Sequence, residues 1–232
     1  MNCDPIARWY RWLEYAGLGR ALERRREAFV DEIADARRVL VLGEGDGRFL
    51  KKLVESCGKM RENCGVLAAF ASRPDFSIDY VDLSHGMLDL ARIRAGTDRV
   101  VYRHGDALTI PLPRAEYDLV VTHFFLDCLT ENDATKLIAR VAASLQPGAR
   151  WLISEFREPG RWARAMVAML YFFFRITTGL RTQHLIDHRP LLAARGFVML
   201  REETARFGLL ASELWLYSVP FRGNNSIGEN SS

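Results

Sequence analysis

Ile6, Trp9, Tyr10 and Leu13 recur at i, i+3, i+4 and i+7, a spacing that places one aromatic stripe along a helix. Asp4-Pro5 opens that helix, with a carboxylate at the N-cap and proline at the first helical position, and the arginine-rich stretch to Arg26 is compatible with its continuation. From position 38 the pattern becomes a regular alternation. Val39 to Leu42 predicts a strand and Phe49 to Ser56 its helix; Ser77 to Val81 predicts a second strand, followed by a helix over Gly86 to Arg94. Val100 to Arg103 and Tyr117 to Thr122 predict strands three and four, Asp133 to Leu145 a helix, and Trp151 to Glu155 a fifth strand. Strands that alternate with helices need right-handed crossovers, which implies a parallel sheet covered on both faces. A ligand then belongs at the carboxyl ends of strands one and four, beside the point where the strand order reverses. Beyond the fifth strand come an apolar stretch from Trp162 to Ile176, a helix near Pro190 to Ala194, and two closing strands, one opened by Gly196-Phe197 and one over Glu213 to Val219. With no helix between them, these two predict a terminal antiparallel hairpin.

At 232 residues and 49% hydrophobic, the chain has enough apolar material for one α/β domain. We expect that domain over 1–221, with a helical lid over 4–27 and an apolar cap segment over 158–190. The Gly/Asn/Ser-rich stretch 222–232 has little to bury and reads as disordered. A net charge of +3 is mild, and the basic residues are dispersed instead of gathered into a stripe, so no nucleic-acid partner is expected. Cys3, Cys57, Cys64 and Cys128 form no C-x-x-C pair, and no histidine stands at metal-ligand spacing from them, so no metal is expected. Free thiols suit the cytoplasm, and Asp4, Arg8, Arg11 and Glu14 fall where a signal peptide needs its apolar core. The longest apolar run, Ala165 to Phe174, is about half of the roughly 20 residues that a spanning helix requires, so no transmembrane segment is expected.

The chemistry begins at Arg38-Val39-Leu40-Val41-Leu42-Gly43-Glu44-Gly45-Asp46-Gly47-Arg48-Phe49-Leu50, an apolar strand running through three alternating glycines into a helix. Glycine reaches φ > 0 and has no side chain to hold a ligand away, so this turn lets a nucleotide lie against bare backbone. The dinucleotide fingerprint G-x-G-x-x-G would need its third glycine at position 48, which is Arg48. That spacing disfavours a nicotinamide oxidoreductase.

Gly-x-Gly-x-Gly in this context resembles the glycine loop of the class I S-adenosylmethionine (SAM) dependent methyltransferases, and later motifs extend the resemblance over positions 38 to about 156. Tyr80-Val81-Asp82-Leu83-Ser84-His85-Gly86-Met87-Leu88 is similar to that family's second motif, and Gly105-Asp106-Ala107-Leu108 with Pro111-Leu112-Pro113 to its third. The resemblance implies a Rossmann-like fold and a SAM site in which Gly43, Gly45 and Gly47 make the close approach, with Glu44 and Asp46 near the ammonium. By the same resemblance Asp82 takes the ribose hydroxyls, Leu83 and Met87 pack on the adenine, Asp106 accepts from its amino group, and the Ala107 amide donates to the ring. Two departures stand out: Val41 occupies the place where the family usually has an acid, and Gly47 to Asp82 is longer than usual, implying an insertion around 58–74. Asp82 and Asp106 each have an alternative reading, as a helix cap and a turn cap. Asp118, at the start of strand four, lies at the wrong end of the sheet for a cofactor.

On the acceptor side, Thr122-His123-Phe124-Phe125-Leu126-Asp127 lacks the Asn/Asp-Pro-Pro-aromatic motif common in methyltransferases of nucleobases and glutamine. His123 is a candidate general base or a packing histidine, and Tyr10, with Trp9, a candidate for sealing the reaction chamber. Trp162 to Phe174 reads as a buried cap, a dimer seam, or a face on the membrane surface. Together these features predict methyl transfer to a small, apolar or aromatic acceptor, in the style of the quinone-biosynthesis methyltransferases, with S-adenosylhomocysteine (SAH) as product. The alternative is a SAM-binding module without catalysis that works through protein or membrane association.

Overall fold

The computed structural model describes residues 20–63, 76–96, 99–158, 160 and 185–218. Trp9 and Tyr10, the stretch 64–75, the apolar segment 161–184 and the tail from 219 lie outside the described residues.

β1 (Arg38–Leu42) pairs in parallel with β2 (Ser77–Asp82) on one side and with β4 (Tyr117–His123) on the other. β3 (Val100–His104) lies parallel outside β2, and β5 (Leu145–Phe156) parallel outside β4. β7 (Leu210–Tyr217) then runs antiparallel to β5, and β6 (Phe197–Ala205) antiparallel to β7. The order across this seven-stranded sheet is β3-β2-β1-β4-β5-β7-β6. The closing strands do form the expected hairpin, but its reversed member is the inner strand β7, and the edge strand β6 points the same way as β1 to β5.

The helices are α1 (Arg20–Arg26), α2 (Arg48–Asn63), α3 (His85–Ala95), α4 (Glu131–Ser144) and α5 (His188–Ala193). Successive strand residues point to opposite faces. Val39, Val41, Leu119 and Val121 therefore pack with Phe49, Leu50 and Leu53 of α2 and with Leu88 and Ala91 of α3. Leu40, Leu42, Val120 and Ile153 meet Leu137, Ile138 and Val141 of α4 and Leu192 of α5. Burial on both faces explains why these strands read as continuous apolar runs.

Local chemistry sets the ends. Ser84 caps α3 by accepting from the Met87 amide at 3.2 Å, and Gly96 closes it at φ 37°. Asp118 accepts the Arg37 and Arg38 amides at 2.8 and 3.0 Å, so it pins the entrance of β1 at the end of the sheet away from the glycine loop. α2 runs seven residues past its predicted end at Ser56, because Cys57 continues the buried row of Phe49, Leu50 and Leu53. Gly58 costs that helix conformational entropy without using its freedom, and nothing lies within 4 Å of where its Cβ would stand. Gly58→Ala is expected to raise the urea midpoint by an amount equivalent to about 0.5–1 kcal/mol.

Candidate functional site

The three glycines of the loop are needed for three different reasons. All have positive φ, at 58°, 93° and 80° for Gly43, Gly45 and Gly47. A Cβ on Gly43 would stand 2.3 Å from the Phe125 ring, and one on Gly47 would stand 2.5 Å from the Cα of Ala91 in α3. Gly43 thus lets the post-β4 loop close down, and Gly47 lets α3 pack against the turn. Around Gly45 nothing among the described residues lies within 4 Å of the Cβ position. Bare backbone there faces open space, which is what a ligand lying on the loop requires.

The two acids between the glycines are turned inward instead of standing free for a ligand cation. Asp46 is bound by Arg48 Nε at 3.0 Å and by Arg94; burial opposes its charge, yet the two guanidiniums hold it below the ordinary aspartate value. Glu44 Oε1 accepts from the Phe49 amide at 3.2 Å, while Oε2 lies 3.1 Å from the Tyr80 hydroxyl. That hydroxyl also reaches the Gly45 carbonyl at 2.8 Å. Tyr80 has one proton for two acceptors, so when it donates to Gly45, a protonated Glu44 completes the chain by donating to the tyrosine oxygen. Burial, opposed by Arg26 and reinforced by Asp46, raises Glu44 to about 7.

A folded-state pKa above the unfolded value of 4.5 means that the folded protein holds this proton longer. The stability associated with it is complete below about pH 4.5 and declines as pH rises to about 7, by roughly 3 kcal/mol in all. Gln at position 44 mimics the protonated acid at every pH, with its carbonyl accepting from Phe49 and its amide donating to Tyr80. Glu44→Gln is therefore expected to unfold at higher urea than the parent at pH 8, with the difference vanishing near pH 4.

Beside the loop, the ends of β1, β2 and β3 are stitched together: the Gly43 amide donates to the Val81 carbonyl at 2.9 Å and the Gly105 amide to the Asp82 carbonyl at 3.1 Å. Asp82 is half-buried at the end of β2, and its Oδ1 accepts from the Ser84 amide at 2.8 Å. It is not the cap of α3, a role that Ser84 fills. Leu83 is 39% exposed, but Met87 is only 2% exposed. The exposed apolar surface next to Asp82 is accordingly Leu83, while the 3.6-residue repeat of α3 turns Met87 inward. Asp106 is exposed and caps its own turn, with Oδ1 accepting from the Leu108 amide at 2.8 Å, and Ala107 is buried. His85 and His104 stack with ring centroids 3.6 Å apart at the same rim, a pair that no sequence spacing announces.

At the end of β4, His123 packs edge-on against Phe49, with ring centroids 4.4 Å apart. It is 2% exposed, and neither ring nitrogen meets a hydrogen-bond partner among the described residues. Burial, reinforced by the charge of Arg26, pushes its pKa well below 6.5, so the ring is a neutral imidazole with one donor and one acceptor both unused. Phe124 follows at φ 52°, an uncommon backbone for a bulky residue, and its ring lies 5.4 Å below the Arg26 guanidinium. Arg26 is buried although it stands in an arginine-rich helix. The hydroxyls of Ser154 and Ser212 explain its place, since both donate to the Arg25 carbonyl, at 3.0 and 2.6 Å, and tie α1 across β5 and β7. The described part of the expected lid is thus tied to the carboxyl-terminal half of β5 and to the amino-terminal half of the antiparallel β7. Tyr10, the other candidate catalytic residue, and most of the cap segment lie outside the described residues.

Bare backbone at Gly45, the Asp82 carboxylate, exposed Leu83 and the Asp106 turn occur in the order expected for a nucleoside cofactor with a cationic tail. A methyltransferase-domain family profile matches residues 63–148. The sheet order agrees with that match. The chain is similar to the class I SAM-dependent methyltransferases, and the family match lies over residues 63–148. It is 32% identical over 151 residues to the demethylmenaquinone methyltransferase of Deinococcus radiodurans, covering 64% of this chain and 55% of that protein. It is 28% identical over 160 residues to the ubiquinone/menaquinone biosynthesis C-methyltransferase of Saccharophagus degradans, covering 66% and 56%. The chain spans about half the length of these relatives. Among solved structures, the N-methyltransferase NodS of Bradyrhizobium japonicum in complex with SAH superposes with a TM-score of 0.60 at 13% identity, covering 84% of this chain and 87% of that one. That likeness is one of fold. No helix of the described residues is long and apolar enough to cross a membrane, and no cluster of His, Cys, Asp or Glu among them is arranged to hold a metal.

Proposed function

We propose that this methyltransferase domain binds SAM and passes its methyl group to a small, apolar or aromatic acceptor, in the manner of the quinone-precursor C-methyltransferases to which the sequence is similar. The observation that carries the reading is the open space above Gly45 among the described residues, in the loop after β1, together with the half-buried Asp82 at the end of the neighbouring β2. Bound SAM supplies a methyl group on a sulfonium, displaced in line with a neutral thioether as leaving group. The protein's part is to align the acceptor and exclude water. Asp82 holds the ribose, Leu83 covers the adenine, and the loop backbone at Gly45 receives the methionine portion. His123, neutral and with both nitrogens free of protein partners among the described residues, takes the acceptor's proton at its basic ring nitrogen.

The test is calorimetric titration with SAH together with a SAM-consumption screen over phenols, quinols, amines and thiols. Micromolar binding with turnover on an aromatic or enolisable acceptor supports the reading; binding without turnover on any of them supports a SAM-binding module instead. His123→Ala is expected to lower turnover by about 100-fold, within the usual range for a general base, while leaving SAH affinity within a factor of two. Unchanged turnover would leave alignment as the catalytic device.

A further inference from the structure

Glu155, at the end of β5, is buried, and its Oε1 accepts from two consecutive amides of the post-β4 loop, Phe125 at 3.1 Å and Leu126 at 2.8 Å. The Asp127 amide also donates to this carboxyl. Its Oε2 is shut off from water and meets no amide, hydroxyl or ammonium donor among the described residues. Its electrostatic neighbour is a second carboxyl, since the Asp127 charge bears on Glu155 and both residues are buried. Two like charges in one buried site repel, and a single proton held between the carboxyls relieves that repulsion. We propose that Asp127 and Glu155 share a single proton and together act as a positioning pair that holds the 124–128 loop down on the glycine turn.

The loop they hold forms one wall of the candidate site. Phe125 lies against Gly43, Phe124 takes the positive φ that carries the chain past His123, and the Phe124 amide donates to the Ser154 carbonyl at 2.6 Å. Burial raises both acids, Asp127 to about 6 and Glu155 well above the usual glutamate range, with the Asp127 charge adding to the latter. The other groups facing the pair are the Cys128 thiol, 3.4 Å from Asp127 Oδ1, and His188 of α5, whose charge bears on Asp127. His188 is itself held by Glu213 of β7 at 2.9 Å, and Glu213 is bound in turn by Arg189. Loss of the shared proton leaves two negative charges in contact within a buried site, and their repulsion pushes the loop off the turn.

The activity readout of this proposal rests on the methyltransferase reading; the stability and spectroscopic readouts do not. The parent, Glu155→Gln, Asp127→Asn, Glu155→Ala and Cys128→Ser are compared from pH 6 to 10 for urea midpoint, SAH affinity and turnover, with infrared difference spectra for a buried protonated carboxyl. The parent and Cys128→Ser are expected to show the carboxyl band at pH 7 and to lose turnover by about 10- to 100-fold toward pH 10, the range that ~1 Å of misplacement produces. In Glu155→Gln and Asp127→Asn an amide N–H replaces the shared proton, so the band disappears and the alkaline loss is abolished. Glu155→Ala is expected to be low at every pH. An alkaline loss that persists in Glu155→Gln and Asp127→Asn overturns the proposal, as does a missing carboxyl band or a loss confined to Cys128. If no protein binds SAH or turns over, the methyltransferase reading fails, and the urea midpoints and infrared band still decide the pair.

Discussion

Gly47→Ala is expected to unfold at much lower urea than the parent, whereas Gly45→Ala keeps most of its stability and loses ligand affinity. Both positions have positive φ, so an alanine at either carries backbone strain of about 1–3 kcal/mol. They differ in what the new methyl meets. At Gly47 it lies 2.5 Å from the Ala91 Cα and 2.7 Å from the Ala91 Cβ, which are fixed in α3 and cannot rotate away. Relief requires α3 to shift on the sheet, and overpacking of this kind adds about 1–3 kcal/mol. The sum, about 2–6 kcal/mol, is comparable with the whole stability of many domains. At Gly45 the methyl meets no atom of the described residues within 4 Å, so only the strain remains. It projects instead into the space assigned to the ligand, and SAH affinity is expected to fall at least about 10-fold, which is about 1.4 kcal/mol. Urea denaturation and calorimetric titration of the two variants check both halves. Equal destabilisation would mean that the helix contact is unimportant, and parental SAH affinity in Gly45→Ala would remove the loop from the binding site.

The parallel core was legible because it is doubly buried. Val39 to Leu42 is an apolar run, Ser77 to Val81 and Tyr117 to Thr122 are β-branched and aromatic stretches each interrupted by one aspartate, and the structure extends their predicted ends by one residue or fewer on either side. β5 was read seven residues short, since its first half crosses Gln146, Pro147 and Gly148 at an irregular register with β4, where neither alternation nor a continuous run survives. The glycine loop was legible from spacing, but the direction of its acids was not. Glu44 and Asp46 stand in a ligand-binding turn and still point inward, because Phe49, Tyr80, Arg48 and Arg94 offer them better partners than water does. Tyr80 comes from another strand and Arg94 from another helix, and one sequence does not disclose such pairings. The same holds for Arg26, buried by the folding of α1 over β5 and β7, and for Asp127 with Glu155, which are 28 residues apart and meet only when β4 and β5 lie side by side.

Asp82→Ala is expected to weaken SAH by about 2–4 kcal/mol, or roughly 30- to 1000-fold, without a matching loss of stability. A carboxylate at the end of β2 suits a ribose because it can accept both hydroxyl protons in one plane, and each such charge-assisted bond is worth about 1.5–3 kcal/mol. The Asp82 Oδ1 accepts from the Ser84 amide, but the cap of α3 is the Ser84 hydroxyl, and the strand-to-strand link at this point uses the Asp82 main-chain carbonyl. Alanine leaves both the cap and the strand link intact, and loss of the bond to Ser84 lowers the urea midpoint by the equivalent of about 1 kcal/mol. Asp82→Asn refines the assignment, since an amide keeps one acceptor oxygen and the bond to Ser84 but gives up the charge and the second acceptor. Its affinity should lie between those of the parent and the alanine variant. Calorimetry in which Asp82→Ala binds SAH as tightly as the parent would remove the carboxylate from the site, and a large loss of stability in both variants would assign Asp82 to the fold instead.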